Sequence, residues 1–580
     1  MHFFTDSLAR APRGGLLGFG EGDMRAAFGM GSMTARTGWI VGALLAGAAV
    51  GLVTPAFRNG DASVYIMMAD SLWSDHDLTY SPRDLERIER LQFEDAPAGL
   101  FLIKRPTGYV YAKPFVYPLL AAPWFAAFGV RGFLALNGVL LVALVLLGAD
   151  ILAARLQWRI ALAAAAAVIG CSVVPAYFFW IDPFLLCTVL AAGALAAYRR
   201  GRPAWVAGLL VTLAVCRFVY LPLLLAPIAL YAATRRMRAL AEFAAAAAAI
   251  GMLLFGVQFL ITRQWSPYVG ERYIYRSAVP YQVAGEAEVG FPNSHGHINL
   301  PTVAELAQSN FYFFLGRFGG VLLYFPTLLV CVLWLRRLDG EKLAWMIALL
   351  LCCEAIQLAS PHNMVGGHNA LGNRFFVLLP VALVLVDFVA WRPLRVVGTA
   401  LLLLVAVPVL EQLGYLSRHP GRQMAEFPHR HFPLEWTQGG SIAYPFTFGD
   451  MQGLTANQYH WEGDGVWTRG GTRAEYVFVR PSDQPGPRLT LHSFLPRVRV
   501  TDGDVVREVA LPPNAQVEIQ LTHPVVTYRD ENWDLREFAV YRLAVETDTG
   551  TWSFTVGGRQ DGRYLGVYLR LLPAVSARPS

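Results

Sequence analysis

The sequence predicts a polytopic α-helical membrane domain followed by a β-sandwich domain outside the membrane. Of the 580 residues, 55% are hydrophobic and only 16% are charged, whereas soluble chains carry about 25% charged residues. Apolar runs recur between residues 39 and 413, and many approach the roughly 20 residues that a membrane-spanning helix needs. After residue 413, polar and apolar residues begin to alternate, which is typical of strands.

About eleven crossings are predicted between a cytoplasmic tail at 1–38 and the end of the membrane domain at 413. The apolar stretch at 114–128 is too short and too rich in proline for an ordinary crossing, so we expect it to lie at the interface. The predicted spans are 39–57, 132–153, 160–179, 183–198, 204–216, 219–233, 239–261, 312–335, 342–359, 374–391 and 395–413.

Basic residues orient this predicted topology. Clusters of arginine lie between alternate spans, whereas the short turns near 180–183 and 360–372 carry neither lysine nor arginine. Because cytoplasmic loops are the positive ones, loops 58–131 and 263–310 and residues 414–580 are expected outside. The net charge of +6 therefore reflects topology, and we expect no nucleic-acid partner.

The C-terminal segment 414–580 has short strand-like runs, for example 474–479, 497–500 and 551–556. Turn signals rich in Asp and Gly separate these runs. Short strands at such spacing predict an antiparallel β-sandwich. Fold alone assigns this domain no function.

Asp61 directly follows the first predicted span, where apolar helix meets water. Partial desolvation raises the pKa of a carboxyl group, while the nearby Arg58 would lower it. Such a carboxylate is a candidate general base. Alternatively, Asp61 is the N-cap of an interfacial helix whose apolar face includes Tyr65.

Asp75 and Asp77 flank His76 a little further along the chain. Carboxylate oxygens and an imidazole nitrogen at this spacing suit a divalent metal, which is the only cofactor that the sequence suggests. The alternative is a solvated loop end.

Lys113 opens the apolar stretch at 114–128. A lysine in this position supplies a compact positive charge for an anionic headgroup. The alternative is a lysine that only extends its charged end to water.

Asp61 and Lys113 belong to a series of polar segments that follow one another in a fixed order along the chain. Asp61 comes first, followed by Lys113-Pro114, and then by Asp182 in a short turn between the third and fourth predicted spans. The pair of short helices at 204–233 and a Gly-rich turn at 366–373 come after them.

Together these segments resemble the GT-C superfamily of polyprenyl-phosphate-dependent glycosyltransferases, over about residues 39–413. The protein O-mannosyltransferase and lipid A aminoarabinose transferase branch is the most similar. The resemblance implies a polyprenyl-phosphate-linked sugar as donor and a glycan, lipid or protein as acceptor. It implies that Asp61 activates the acceptor, that Lys113 and Arg217 lie near the donor phosphate, and that Asp182 lies close to the site. The Ala- and Arg-rich composition indicates a high-GC bacterium, so we expect the bacterial inner membrane as location.

Such a transferase needs fixed cations, because negative charge develops on the phosphate as the glycosidic bond breaks. We expect Arg374, with Arg217 and Lys113, to supply them. The second outer loop adds alternating arginine and aromatic residues that suit phosphate and sugar rings. This loop contains Arg263, Arg272, Tyr273, Tyr275, Arg276, His295 and His297.

Arg317 and Glu354 stand out among the charged residues of the predicted spans. Arg317 and Glu354 each lie about six residues from the outer end of a span, so both would be roughly 9 Å deep. Charges at that depth need a partner or a polar cavity, and we predict that these two form a structural ion pair. The alternative is that Arg317 binds the donor phosphate and that Glu354 orients Arg317.

The sequence leaves two other functions open. One is a transporter or flippase of a lipid-linked glycan, and the other is a membrane-anchored glycan-binding protein. Replacing Asp61 by Asn separates these functions from the transferase, because only the transferase needs that carboxylate for a chemical step.

Overall fold

The computed structural model describes the residues given at the end of this paragraph, in two compact units. The first unit comprises Met1–Gln308, Val321–Pro361 and Gly372–Arg418, and the second comprises Ser309–Gly320, His362–Leu371 and His419–Ser580. The described residues are 33–56, 61–90, 100–265, 267, 272–275, 279–282, 290–293, 301–335, 338–359, 361, 364–367, 370–385, 393–404, 413–416, 419–448, 450–454, 459–495, 497–512, 515–530, 536–552 and 563–573.

The first unit is mainly helical. Its α-helices are Met33–Val53, Ala62–Ser74, Pro82–Arg90, Val116–Phe128, Arg131–Ala153, Trp158–Gly170, Phe184–Arg199, Pro203–Cys216, Leu225–Ala233, Met237–Thr262, Val321–Tyr324, Thr327–Trp334, Gly340–Ala359, Pro393–Leu404 and Leu413–Leu416. Short 3₁₀ helices connect several of them, at Val174–Phe179, Phe218–Leu224, Arg374–Phe376 and Leu379–Leu385. One more helix, Val303–Leu315, crosses the boundary between the two units.

The prediction of about eleven membrane-spanning helices is wrong. Within the described part of the chain, two helices are long and apolar enough to cross a membrane, Arg131–Ala153 and Met237–Thr262. The first of these is largely buried in the protein, whereas only 6% of the apolar window of the second is buried. The fold class is therefore corrected to a helical unit with two candidate spans and a second unit rich in β-strands.

The predicted spans fail because apolar runs continue where helices stop. The predicted division of the run 204–233 at Arg217 is present, with extended backbone there, but the second part begins as a 3₁₀ helix containing Pro222 and leaves an α-helix of only 9 residues, Leu225–Ala233. The predicted span 374–391 begins as short 3₁₀ segments. Glycine and proline interrupt the backbone hydrogen-bond pattern without lowering the hydropathy of the run.

Small residues allow two helices of the first unit to pack closely. A Cβ atom added at Gly47 would lie 2.7 Å from the carbonyl oxygen of Gly138, and one added at Gly138 would lie 2.0 Å from that of Gly47. Neither position leaves room for a side chain. The helix Met33–Val53 therefore contacts Arg131–Ala153 backbone to backbone, just before the chain reaches Asp61.

A five-stranded antiparallel sheet joins the two predicted outer loops of the first unit. Its order is β1-β3-β2-β4-β5, and β2 pairs with β4 through Leu100 opposite Tyr275. The strands are β1 (Thr79–Tyr80), β2 (Leu100–Arg105), β3 (Gly108–Tyr111), β4 (Arg272–Tyr275) and β5 (Gly290–Asn293). This pairing brings residues from 100–113 and 272–275 together.

The second unit contains two antiparallel sheets around one hydrophobic core. The first sheet has the order β13-β12-β16-β10-β7-β6, with β15 on β16, and the second has the order β14-β11-β18-β9-β8, with β17 on β18. The core includes Tyr476 and Phe478 from the first sheet and Leu489 and Val567 from the second. The strands are β6 (Phe446–Phe448), β7 (Met451–Gly453), β8 (Tyr459–Glu462), β9 (Gly465–Arg469), β10 (Arg473–Pro481), β11 (Arg488–Ser493), β12 (Arg497–Asp502), β13 (Val505–Ala510), β14 (Gln516–Gln520), β15 (Pro524–Asp530), β16 (Arg536–Glu546), β17 (Thr551–Trp552) and β18 (Tyr564–Leu571).

A buried carboxylate organises the start of the second unit, where the chain also forms 3₁₀ helices at Pro420–Ala425, His429–His431 and Trp436–Gln438. Glu435 is fully buried and accepts backbone N–H bonds from Phe318 at 3.0 Å and Gly319 at 2.8 Å. A Cβ atom at Gly316 would lie 2.1 Å from the Glu435 Oε1 atom, so only glycine fits there.

The premise for an Arg317–Glu354 pair is also wrong. The predicted span 312–335 is divided among the helices ending at Leu315, Tyr324 and Trp334, so equal depth in a membrane cannot be inferred. Arg317 belongs to the second unit and Glu354 to the first. In its own unit Arg317 donates from Nε to the carbonyl oxygen of Phe432 at 3.0 Å.

Candidate active site

Asp61 lies in an ion-paired site of the first unit. It directly precedes the helix Ala62–Ser74, but its side chain makes no capping hydrogen bond. Instead, its Oδ2 atom accepts a hydrogen bond from Lys113 Nζ at 3.0 Å and lies 3.7 Å from Arg374 Nη1. Of the two alternatives left by the sequence, the N-cap is therefore excluded as the role of this carboxylate.

Lys113 and Arg272 share an aromatic ring. The ammonium of Lys113 lies 4.1 Å and the guanidinium of Arg272 lies 4.8 Å from the ring centre of Phe101. Phe101 is on β2 and Arg272 begins β4, so the pairing of these strands places the two cations near each other. A cation over the face of an aromatic ring is attracted by the ring, and this attraction persists when water is removed.

Arg217 and Arg374 occupy a second aromatic setting in the same unit. Arg217 lies 4.7 Å from the ring centre of Phe184 and 5.7 Å from that of Phe375, and Arg374 lies 5.6 Å from both. The two rings contact each other edge to face. We refer to Lys113, Arg217, Arg272 and Arg374 as the cation cluster.

The segment that carries Arg374 is held by neighbouring backbone contacts. The Asn373 side chain accepts from the Phe375 N–H at 3.1 Å, and Tyr220 donates to the Phe375 carbonyl oxygen at 2.7 Å. Thr188 donates to the carbonyl oxygen of Val377 at 3.2 Å. These bonds orient Arg374 although its own helix is only one 3₁₀ turn long.

Asp182 adds a second carboxylate to the site. It is buried, and its Oδ1 atom accepts from the Phe184 N–H at 2.9 Å at the start of the helix Phe184–Arg199. Among the residues that the structure describes, its Oδ2 atom and the Nε atom of Arg374 have no hydrogen-bond partner. The site thus holds polar atoms that a ligand or water would satisfy.

The cation cluster and its two carboxylates form a positive, mostly buried site. Four cations face two carboxylates, which leaves two formal positive charges in excess. The side chains of Asp61 and Arg374 are 12% and 15% exposed, whereas Lys113 is 3% exposed. The site therefore opens at Asp61 and Arg374, and its charge favours an anionic ligand.

The surroundings shift the pKa values of three of these groups. Burial alone would raise the pKa of Asp61, but the charges of Lys113, Arg374 and Arg217 outweigh it and hold the pKa well below its usual range. Burial lowers the pKa of Lys113 to about 7 despite the attraction of Asp61. Burial raises the pKa of Asp182 to about 7, against the opposing effects of the Phe184 N–H and Arg374.

Anion binding by this site is expected to weaken as pH rises from about 6 to about 8. Lys113 loses its positive charge through about pH 7 and Asp182 becomes negative in the same range. Both changes disfavour an anion, and together they should lower affinity by about tenfold or more. The measurement is calorimetric titration with a soluble prenyl phosphodiester, whose own charge is constant over this range. Lys113→Arg should flatten the profile, and an affinity that is level or rising in the wild type would contradict the expectation.

Asn137 positions the turn that carries Asp182. This fully buried residue of the helix Arg131–Ala153 donates to the carbonyl oxygens of Phe178 at 3.2 Å and Trp180 at 2.6 Å. It also accepts a hydrogen bond from the Tyr117 hydroxyl at 3.1 Å. The side chain thus ties the segment before Asp182 to the helix that follows Lys113.

Asn137→Ala is expected to lower the free energy of unfolding by about 2–3 kcal/mol and to reduce any turnover of the site. The substitution leaves two buried carbonyl groups without their donor, which costs more than the bond itself contributes. Thermal unfolding in detergent and a transfer assay measure the two effects. Val142→Ala, on the same helix and half-buried, should cost about 1 kcal/mol and leave turnover unchanged. If Asn137→Ala lost stability but kept normal turnover, the position of Asp182 in the site would not depend on the hydrogen bonds of Asn137.

Other predicted site residues lie elsewhere. Tyr65 is fully buried, with its ring edge to face against the ring of Tyr117 at 5.6 Å. Asp75 pairs with Arg87, whereas Asp77 accepts from Ser71 and from the Thr79 N–H.

The predicted metal site at Asp75 and Asp77 is therefore wrong. Their oxygens are directed to different partners, and Arg87, which also pairs with Asp70 and Asp84, occupies the space with a positive charge. Within the described ranges, no group of three His, Cys, Asp or Glu side chains is arranged to hold a metal. Four residues named in the sequence analysis, Arg58, Arg276, His295 and His297, lie outside the described residues.

Sequence reasoning missed the aromatic residues and the buried amide of the site. Phe101, Phe184 and Phe375 hold the cations, and Asn137 holds the turn before Asp182. Phe184 and Phe375 adjoin predicted residues in the sequence, which is a weak signal. Phe101 gives no such signal, because its contacts with the cations depend on the pairing of β2 with β4, which are distant in the sequence.

No protein-family model and no curated protein matches the chain. The functional proposal therefore rests on the geometry of the site.

Proposed function

We propose that the first unit transfers a sugar from a polyprenyl-phosphate donor to the hydroxyl group of an acceptor. The observation that carries this proposal is the meeting of Asp61 and Asp182 with the cation cluster, from segments far apart in sequence. A surplus of buried cations suits a phosphate, and an accessible carboxylate beside it suits proton transfer. Neither a passive glycan-binding surface nor a transport path requires this combination.

The cation cluster would stabilise the leaving group. In the transfer, the acceptor oxygen attacks the anomeric carbon and the bond from this carbon to the phosphate oxygen breaks. The bonding electrons remain on the phosphate, whose charge changes from −1 to −2. Fixed guanidinium groups in a mostly dry site favour that change without reorganising, and one displacement inverts the anomeric centre.

Asp61 would accept the proton of the acceptor hydroxyl. In the free protein its pKa is held low by three cations, which makes it a weak base. A bound phosphate shares those cations, and the growing charge on the leaving phosphate draws them further. The basicity of Asp61 therefore rises as the acceptor loses its proton, which couples proton transfer to bond cleavage.

A location at a membrane is part of the proposal and is supported by the surface of the first unit. The helix Met237–Thr262 is predominantly apolar and exposes large side chains, including Met252, Leu253 and Leu260. An apolar surface of this kind marks an interaction with lipid or protein. A polyprenyl donor is itself membrane-bound, so lipid contact would bring donor and site together.

The direct test is a transfer assay with purified protein in detergent and a panel of polyprenyl-phosphate sugars. We expect release of polyprenyl phosphate with at least one sugar when a hydroxyl acceptor is supplied. Parallel reactions with a chelator test for a metal requirement. Donor binding without release for every sugar and acceptor class would contradict a transferase and favour a carrier of lipid-linked glycans.

A further inference from the structure

The second unit contains a cavity that the proposed transfer reaction does not use. Its volume is about 450 Å³, within the usual range for small-molecule sites. The polar lining comes from Asp450, Arg480 and Gln484, and the apolar lining includes Val479 and Leu571. All of these residues belong to the second unit.

Arg480 occupies a position where the strand pattern calls for an apolar residue. Alternate residues of β10 share one face of the sheet, and Ala474, Tyr476 and Phe478 on this face are fully buried in the core. Arg480 is next in the row and is only 7% exposed. The row of core residues therefore ends in a guanidinium group that lines the cavity.

This guanidinium is poorly satisfied by the protein. Within the described residues it donates no hydrogen bond, and its Nε atom is buried without a partner. Its nearest counter-charge is Asp450, whose Oδ2 atom lies 3.8 Å from Nη2 and whose side chain is 70% exposed. Because burying a charge without hydrogen bonds is costly, the arrangement points to an anionic ligand that completes the site.

We propose that the cavity binds a carboxylate-bearing sugar of the uronic acid type. The planar fork of Arg480 matches a carboxylate through two parallel hydrogen bonds. Asp450 and Gln484 supply an acceptor and a donor for ring hydroxyls, and Val479 and Leu571 supply apolar contact for the C–H groups of the ring. Arg480 and Asp450 together carry no net charge, so a singly charged carboxylate suits the site better than a phosphate dianion.

The test measures binding of glucuronate, glucose and glucose 1-phosphate to the full chain by calorimetry, without any transfer reaction. We expect glucuronate to bind at least about tenfold more tightly than either of the others. Failure of glucuronate to bind more tightly than about 10 mM, equal binding of glucose, or preference for glucose 1-phosphate would each overturn the proposal. The assay does not involve Asp61, so its outcome is independent of the proposed transferase activity.

Arg480→Met separates a binding role from a structural one. It should weaken glucuronate binding about 100-fold and raise the melting temperature of the free protein, because it removes a buried charge. The matched control Arg473→Met replaces an exposed arginine of the same strand and should leave binding unchanged. Arg480→Lys, which keeps the charge but loses the fork, should also weaken binding. Unchanged affinity in both Arg480 variants, or a lower melting temperature with unchanged affinity, would show that Arg480 is structural.

Discussion

Asp61→Asn is expected to reduce sugar transfer by about 10³-fold while donor binding stays the same or becomes tighter. The amide keeps the shape of the side chain but cannot accept the acceptor's proton. It also removes the negative charge that competes with a phosphate for Lys113 and Arg374. Single-turnover transfer and calorimetric binding of a soluble prenyl phosphodiester measure these two effects separately.

The control for this variant is Asp77→Asn, which changes a carboxylate outside the site in the same way. Asp77 bonds to Ser71 and to the Thr79 N–H, so its loss should cost a little stability and leave transfer close to wild type. If Asp61→Asn instead lost donor binding in proportion to turnover, the carboxylate would serve only to arrange the cations. A chain that transports or merely binds glycans would show no change in a chemical step.

Arg217→Met is expected to reduce kcat/KM for the donor by about 10²-fold or more. The guanidinium is 6% exposed and lies against the rings of Phe184 and Phe375, so water cannot easily replace it. Methionine fills similar space without the charge, and the leaving phosphate loses one of its fixed cations. Steady-state transfer at several donor concentrations measures the loss.

Two further variants make this result specific. Arg217→Lys should recover only part of the rate, because an ammonium cannot reproduce the contact of the planar guanidinium with the rings of Phe184 and Phe375. Arg238→Met replaces an exposed arginine near the start of the helix Met237–Thr262 and should leave kcat/KM unchanged. Equal losses in Arg217→Met and Arg238→Met would mean that general positive charge, and not the cation cluster, matters for the reaction.

Individual positions of the candidate site could be selected from the sequence by residue type and setting. Asp61 follows an apolar run, Lys113 precedes another, and Asp182 lies in a short turn that carries neither lysine nor arginine. Arg217 marks the break in the run 204–233, where the structure shows extended backbone between two helices. Such positions can be selected from the sequence because an isolated charge beside apolar residues is costly unless it has a partner or a function.

Distances between these positions could not be predicted in the same way. Arg272 approaches Lys113 only because β2 pairs with β4, and Phe101 lies between them. Arg374 reaches Asp61 because Tyr220 and Thr188 hold the backbone of residues 375–377. For the same reason the spacing of Asp75 and Asp77 wrongly predicted metal ligands, since the sequence does not show that Arg87 pairs with Asp75.

By itself, the sequence determined the apolar character of residues 39–413, the strand-forming character of much of 414–580, and the candidate charges between apolar runs. These are properties of residue types and their spacing, which need no knowledge of neighbours in space. Only the tertiary structure decided where helices end and which charges meet. Helix ends depend on backbone hydrogen bonds that glycine and proline interrupt. The meeting of charges depends on contacts between segments far apart in the sequence, from 52 residues for Asp61 and Lys113 upward.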